Sequence, residues 1–147
     1  MINGENKTPF TEKILNKVKM IDSKTCVLID DDKDDQLIFK TVLKQHFPQY
    51  SLQTYSSFEQ AKPNILAQEA AIDTLFIDLN MPKYNGIDCL NYLRNQEQYK
   101  DTPIIIYTTS NNPDDKKRSL QNGATSFLTK PSRIHSLVEE LGKYLSE

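Results

Sequence analysis

From residue 25 onward the chain alternates short apolar bursts with longer amphipathic stretches, five times over. The bursts, residues 25–29, 51–55, 74–77, 103–108 and 126–129, all have strand length. Several are apolar without interruption, which leaves no face for solvent and reads as strands buried on both sides, as in parallel sheets. The stretches between them carry helical periodicity. Leu37, Ile38, Val42 and Leu43 mark the first, Phe58, Ala61, Ile65 and Leu66 the second, and Ile87, Leu90 and Leu93 the third. A weaker run over 114–121 follows, and Ile134, Leu137, Val138, Leu141 and Leu145 mark the last. A βα unit repeated five times predicts an α/β fold of three layers, a parallel sheet with helices on both faces. Its ligand site falls in loops at the carboxyl ends of the strands.

Turn and cap residues agree with this reading. Pro82 and Gly86 bracket the loop after the third strand, Pro113 opens the fourth helix, and Asn122-Gly123 ends it. Pro63 leaves two alternatives: with a cap at Ser56 or Ser57 it fits the first helical turn, or it kinks or delays the second helix. Residues 1–23 read as an appendage, in which Phe10, Ile14 and Val18 line one side of a short amphipathic helix after Pro9 and Thr11, a reasonable cap region. The domain itself spans 24–147.

One domain is all that 147 residues readily supply. With 18 Lys and Arg against 20 Asp and Glu, no whole-molecule basic field exists to draw the protein onto nucleic acid or an anionic membrane. Apolar runs reach about five residues, far short of a membrane span, and the N-terminus has no signal-peptide core, so a cytoplasmic location is expected. Cys26 and Cys89 sit singly in apolar segments and predict buried free thiols. His46 and His135 are expected on the surface or at helix ends, with no acidic partner at a useful spacing.

The chemistry concentrates after the first strand, where Asp30, Asp31, Asp32, Asp34 and Asp35 follow Ile29. The positive end of the helix that follows accounts for Asp34 and Asp35. It does not account for Asp30 and Asp31, which emerge at the carboxyl edge beside the end of the third strand, where Asp78 follows Leu75-Phe76-Ile77. Three converging carboxylates repel one another unless a cation neutralises them, and hard oxygen ligands suit Mg²⁺ or Mn²⁺. Thr108 at the end of the fourth strand adds a hydroxyl, and Lys130 after the fifth adds an ammonium. Carboxylates, hydroxyl and lysine around one metal make a phosphoryl site, in which an unprotonated Asp can serve as nucleophile.

These residues resemble the receiver domain of two-component response regulators, similar to the stand-alone chemotaxis-type regulators, over residues 24–144. The matching features are the acidic pair Asp30-Asp31, Asp78-x-x-x-Pro82-x-x-x-Gly86, the strand-end Thr108 and Lys130-Pro131, in order and at matching intervals. The resemblance implies a flavodoxin-like (βα)5 fold with strand order 2-1-3-4-5. It implies that Asp78 takes a phosphoryl group from a phosphohistidine on a sensor histidine kinase or histidine phosphotransfer protein. Mg²⁺ is then bound by Asp31, Asp78 and the Asn80 backbone carbonyl, with Asp30 acting more indirectly through water. Thr108 and Phe127 become the switch pair, and they change the face formed by helix four, strand five and helix five. Asn80 and Ser110 occupy the positions that tune autodephosphorylation. Phe127 stands where tyrosine or histidine is more frequent, so it is either a switching ring without a polar tip or a plain core aromatic.

Residues 132–147 suffice for one helix, so no output domain is expected and the signal passes by protein contacts to a downstream protein target, from a monomer or from a homodimer formed on phosphorylation. Two alternatives stand beside this one. A phosphorylation-independent pseudo-receiver would bind partners but would have lost an acid, the Thr or the Lys. A metal-dependent phosphatase would need a second acid shortly after its nucleophile, where Asn80 stands. A flavodoxin-type cofactor protein is disfavoured because three aspartates occupy the place of its phosphate loop.

Overall fold

The apolar bursts become strands, and their hydrogen bonding sets which acids meet. In the computed structural model, which describes residues 8–12, 23–67 and 71–145, strand β1 (Lys24–Ile29) lies between β2 (Tyr50–Tyr55) and β3 (Thr74–Ile77), with β4 (Ile104–Thr108) and β5 (Ser126–Thr129) beyond β3. All pairings are parallel and the order is β2-β1-β3-β4-β5, the flavodoxin-like arrangement expected. Strands β3 and β4 are buried throughout, whereas edge strands β2 and β5 are only partly buried.

Alternation along the strands divides the interior into two layers. Val27, Ile29, Leu75, Ile77, Ile104 and Ile106 face α2 (Phe58–Leu66) and α3 (Gly86–Arg94). Cys26, Leu28, Phe76, Ile105, Tyr107 and Leu128 face α1 (Lys33–His46) and α5 (Ile134–Leu141). Helix α4 (Pro113–Gln121) buries only Ser119, as its weak apolar pattern foreshadowed. It opens on Pro113 and ends at Asn122-Gly123, with Gly123 at φ 102°.

Helix α1 departs from the sequence reading. Its buried residues are Gln36, Phe39, Val42 and Leu43, while Leu37 is 63% exposed and Ile38 39%. A glutamine occupies one inward position and hides the register: Gln36 Nε2 donates to the Asp30 carbonyl at 2.6 Å and to Ser56 Oγ at 3.1 Å. Pro63 lies inside α2, which runs unbroken from its Ser57 cap to Leu66. Helix α5 stops at Leu141, and Leu145 reaches the core from the turn that follows.

At the N-terminus residues 9–12 are helical, with Thr8 Oγ1 accepting from the Thr11 amide at 3.1 Å, so the cap is Thr8. Phe10 is exposed, and the expected continuation through Ile14 and Val18 lies outside the described residues. No helix among the described residues is long and apolar enough to cross a membrane. Cys26 and Cys89 are buried and free, as expected, and burial raises both thiols, Cys89 to about 12.

Phe39→Ala should cost about 3–5 kcal/mol in urea denaturation, because it empties a buried site in edge contact with Phe76 and Tyr107. Leu37→Ala should stay within about 0.5 kcal/mol.

Candidate functional site

Register carries the functional residues to one edge. Ile29 pairs with Ile77, Ile77 with Ile106 and Thr108 with Thr129, so Asp30, Asp78, Thr108 and Lys130 all emerge at the carboxyl ends of adjacent strands. Asp30 and Thr108 are fully buried and Asp78 is 6% exposed. Asp32 caps α1, accepting from the Asp34 and Asp35 amides at 2.9 and 3.1 Å, and its own amide donates to Asp30 Oδ1 at 3.0 Å. Gly86 opens α3 against the strand end, where its amide donates to the Leu79 carbonyl at 2.8 Å. A Cβ at that position would sit 2.6 Å from the Asp78 carbonyl oxygen and 2.9 Å from Leu79 Cα, so only glycine lets α3 approach the Asp78 backbone this closely.

Asp30, Asp31 and Asp78 each place a carboxylate oxygen within 4.8 Å of the others. Asp30 Oδ2 is, among the described residues, the buried side-chain oxygen without a hydrogen bond; it faces Lys130 Nζ at 2.7 Å as an ion pair. Three converging hard oxygen donors, one of them short of hydrogen-bond partners, fit a small divalent cation such as Mg²⁺ or Mn²⁺.

Lys130 is placed by the amide that follows β5, which donates to the Thr108 carbonyl at 2.6 Å. Its ammonium lies 2.7 Å from Asp35 Oδ2, 3.9 Å from Asp78 Oδ2 and 5.3 Å from the centre of the Tyr107 ring. Asp35 therefore belongs to the site, contrary to its assignment to the helix end alone.

Burial sets the ionisation of these groups. It raises Asp30, although Lys130 and the Asp32 amide pull the other way. It also pushes Asp78 up to about 7; Lys130 opposes this, Asp30 and Asp31 add to it, and the Asn80 amide lowers it again. Burial lowers Lys130, but its contacts with Asp30 and Asp35 outweigh that and leave the ammonium above its ordinary value.

Other sequence candidates fall around this centre. Thr108 Oγ1 accepts from the Ser110 amide at 3.3 Å. The Ser110 hydroxyl is turned to α4, donating to Asp115 Oδ2 at 2.6 Å, and Asn80 is exposed. Phe127 pairs with Ile106 and is half-buried against the core layer that faces α2 and α3. His135 does have an acidic partner: Glu139 Oε1 lies 3.0 Å away at i+4, a spacing that brings helical side chains together, and both are exposed.

A parallel sheet in this order with an acidic cleft, a strand-end threonine and a lysine at its carboxyl edge is the architecture of receiver-type α/β domains. The response regulator receiver domain family matches residues 26–142, and the chain belongs to that family. The polar-differentiation response regulator DivK of Brucella ovis is 22% identical over 125 residues, which cover 85% of this chain and 98% of DivK. A probable cyclic di-GMP phosphodiesterase of Vibrio cholerae is 29% identical over 146 residues, but this chain spans only 32% of its length. The structure of the chemotaxis response regulator CheY4 of Vibrio cholerae superposes with a TM-score of 0.73 at 29% identity, covering 84% of this chain and 99% of CheY4. The phosphorylated cyanobacterial phytochrome response regulator RcpA shares the fold, with a TM-score of 0.76 at 22% identity over 84% of this chain and 95% of its own.

The raised Asp78 carboxyl predicts a pH dependence. The folded state holds a proton between the ordinary value of 3.8 and about 7 that the unfolded chain releases. The stability this confers is complete below the lower value and is lost as pH rises through the upper one. Without metal, Asp78→Asn should stabilise the fold by about 1–3 kcal/mol at pH 8 and change it little below about pH 4, measured by urea denaturation with a chelator present.

Proposed function

We propose that this receiver domain is a phosphorylation-activated switch or relay in which Asp78 accepts a phosphoryl group from a phosphohistidine on a sensor histidine kinase or histidine phosphotransfer protein. The observation that carries this reading is the placement of the buried Asp78 carboxyl within reach of Asp30 and Asp31 on one side and of the Lys130 ammonium, 3.9 Å away, on the other. An ionised Asp78 oxygen attacks phosphorus and a P–O bond forms. The P–N bond breaks, its electron pair stays on the imidazole nitrogen, and the product is an acyl phosphate.

Asp30, Asp31, Asp78 and the Asn80 backbone carbonyl would hold Mg²⁺ or Mn²⁺, which when bound offsets negative charge on the phosphoryl oxygens. The cyanobacterial RcpA is solved phosphorylated and Rcp1, of the same fold, in a Mn²⁺-bound form. Lys130 supplies the second counter-charge and Thr108 a hydroxyl donor. As Thr108 turns toward the phosphoryl group, Phe127 follows inward and the α4-β5-α5 face changes, a shift between two populated conformations that a downstream protein reads. The exposed Leu120 of α4 gives that face an apolar contact point. Asn80 and Ser110 set how readily water reaches the acyl phosphate.

The donor protein seats on the rim formed by α1 and the start of α5. Ile38 and Ile134 line a shallow groove there together with Asp35 and Lys130, and both are exposed. An apolar rim beside a charged centre suits a transient partner that must bring its phosphohistidine to Asp78.

Mg²⁺-dependent labelling by acetyl phosphate or by a phosphorylated kinase should be abolished in Asp78→Asn, and equal acyl-phosphate formation in both proteins would sink the acceptor assignment. Ile134→Ser should slow transfer from a phosphorylated kinase about tenfold, and acetyl phosphate labelling much less. Equal slowing with both donors would remove the docking rim.

A further inference from the structure

Asp35 projects from the first turn of α1, which the Asp32 carboxylate fixes through the Asp35 amide at 3.1 Å. It accepts a partly buried hydrogen bond from Lys130 Nζ at 2.7 Å. From the end of β1, Asp30 Oδ2 holds the same ammonium at 2.7 Å, while the nucleophile Asp78 stands back at 3.9 Å. An ammonium has three donors; here Asp35 accepts one of them as a hydrogen bond and Asp30 meets the ammonium as an ion pair.

Attraction between charges with little water around them is strong, so a lysine closes on whichever carboxylates it can reach. Asp78 is buried and, at 3.9 Å, about 0.7 Å beyond hydrogen-bonding distance of Lys130. With Asp30 as its sole anchor, the ammonium can swing onto Asp78. That contact would occupy an oxygen needed to attack phosphorus and would cancel charge needed to hold a cation. A second anchor, built into a separate element, prevents it.

We propose that Asp35 is a positioning residue that holds Lys130 off Asp78, keeping the nucleophile open and one ammonium donor in reserve for the arriving phosphoryl group. The assignment rests on the phosphoacceptor reading and deepens it.

The test is the rate of acetyl phosphate labelling as a function of Mg²⁺ in the parent, Asp35→Asn, Lys130→Met, the double variant and Asp78→Asn. Asp35→Asn should lower the maximal rate about tenfold in the parent but less than about twofold in the Lys130→Met background, because it acts through the lysine. Asp35→Glu, which keeps the charge, should recover part of the rate. A crystal structure of Asp35→Asn should show Lys130 Nζ within hydrogen-bond reach of Asp78. Equal losses in both backgrounds, no loss in the parent, or a lysine unmoved from its present position would overturn the assignment. If Asp78→Asn labels like the parent, the phosphoacceptor reading fails as a whole. If Asp78→Asn is silent and Asp35→Asn labels at the parent rate, only the role of Asp35 fails.

Discussion

Lys130 Nζ has carboxylate oxygens of Asp30 and Asp35 at 2.7 Å and of Asp78 at 3.9 Å, and of these acids Asp30 and Asp78 are buried. Removing a carboxylate from water costs several kcal/mol unless an opposite charge and hydrogen bonds replace the solvent. Here one ammonium serves three acids from three different elements. The acidic edge is therefore a property of the assembled sheet, since Lys130 reaches it only when β5 lies beside β4 and its amide meets the Thr108 carbonyl. Burial keeps Asp78 pushed up to about 7 despite the lysine.

The rest of the fold keeps this edge in register. Successive isoleucines on β1, β3 and β4, Ile29, Ile77 and Ile106, pair across the sheet just before the functional residues emerge. A slip of one residue would turn this whole set to the opposite layer and carry the acids away with it. Helix ends provide the fine placement. Asp32 caps α1 and fixes the turn that bears Asp35, while Gly86 lets α3 press against the Asp78 backbone.

Much of this was legible from residue order alone. Apolar runs with no polar face can only be buried strands, and acids placed directly after such runs must appear at the strand ends, so Asp30, Asp31, Asp78, Thr108 and Lys130 were identifiable without coordinates. Helix α1 was misread because periodicity counts apolar residues, whereas its inward face includes Gln36, satisfied by the Asp30 carbonyl and Ser56, and its outward face carries Leu37 and Ile38. Of these two outward side chains, Ile38 lines a groove with Asp35 and Lys130, whereas Leu37 lies in another with Lys33, Lys40 and Thr54. Asp35 was hidden for a related reason: an acid in the first turn of a helix already has a local explanation in the helix dipole.

The order and chemical character of the segments thus settled the fold class and the members of the acidic edge, because burial periodicity and strand-end position are local properties of the chain. Tertiary structure alone decided how those members are paired. That Lys130 is held between Asp30 and Asp35 while standing off Asp78 depends on distances between residues 52 to 100 positions apart, for which no local pattern exists. Differences of an ångström in those distances separate a direct Lys130–Asp78 contact from one that stands off it, and only the packed sheet and its capped helices fix them.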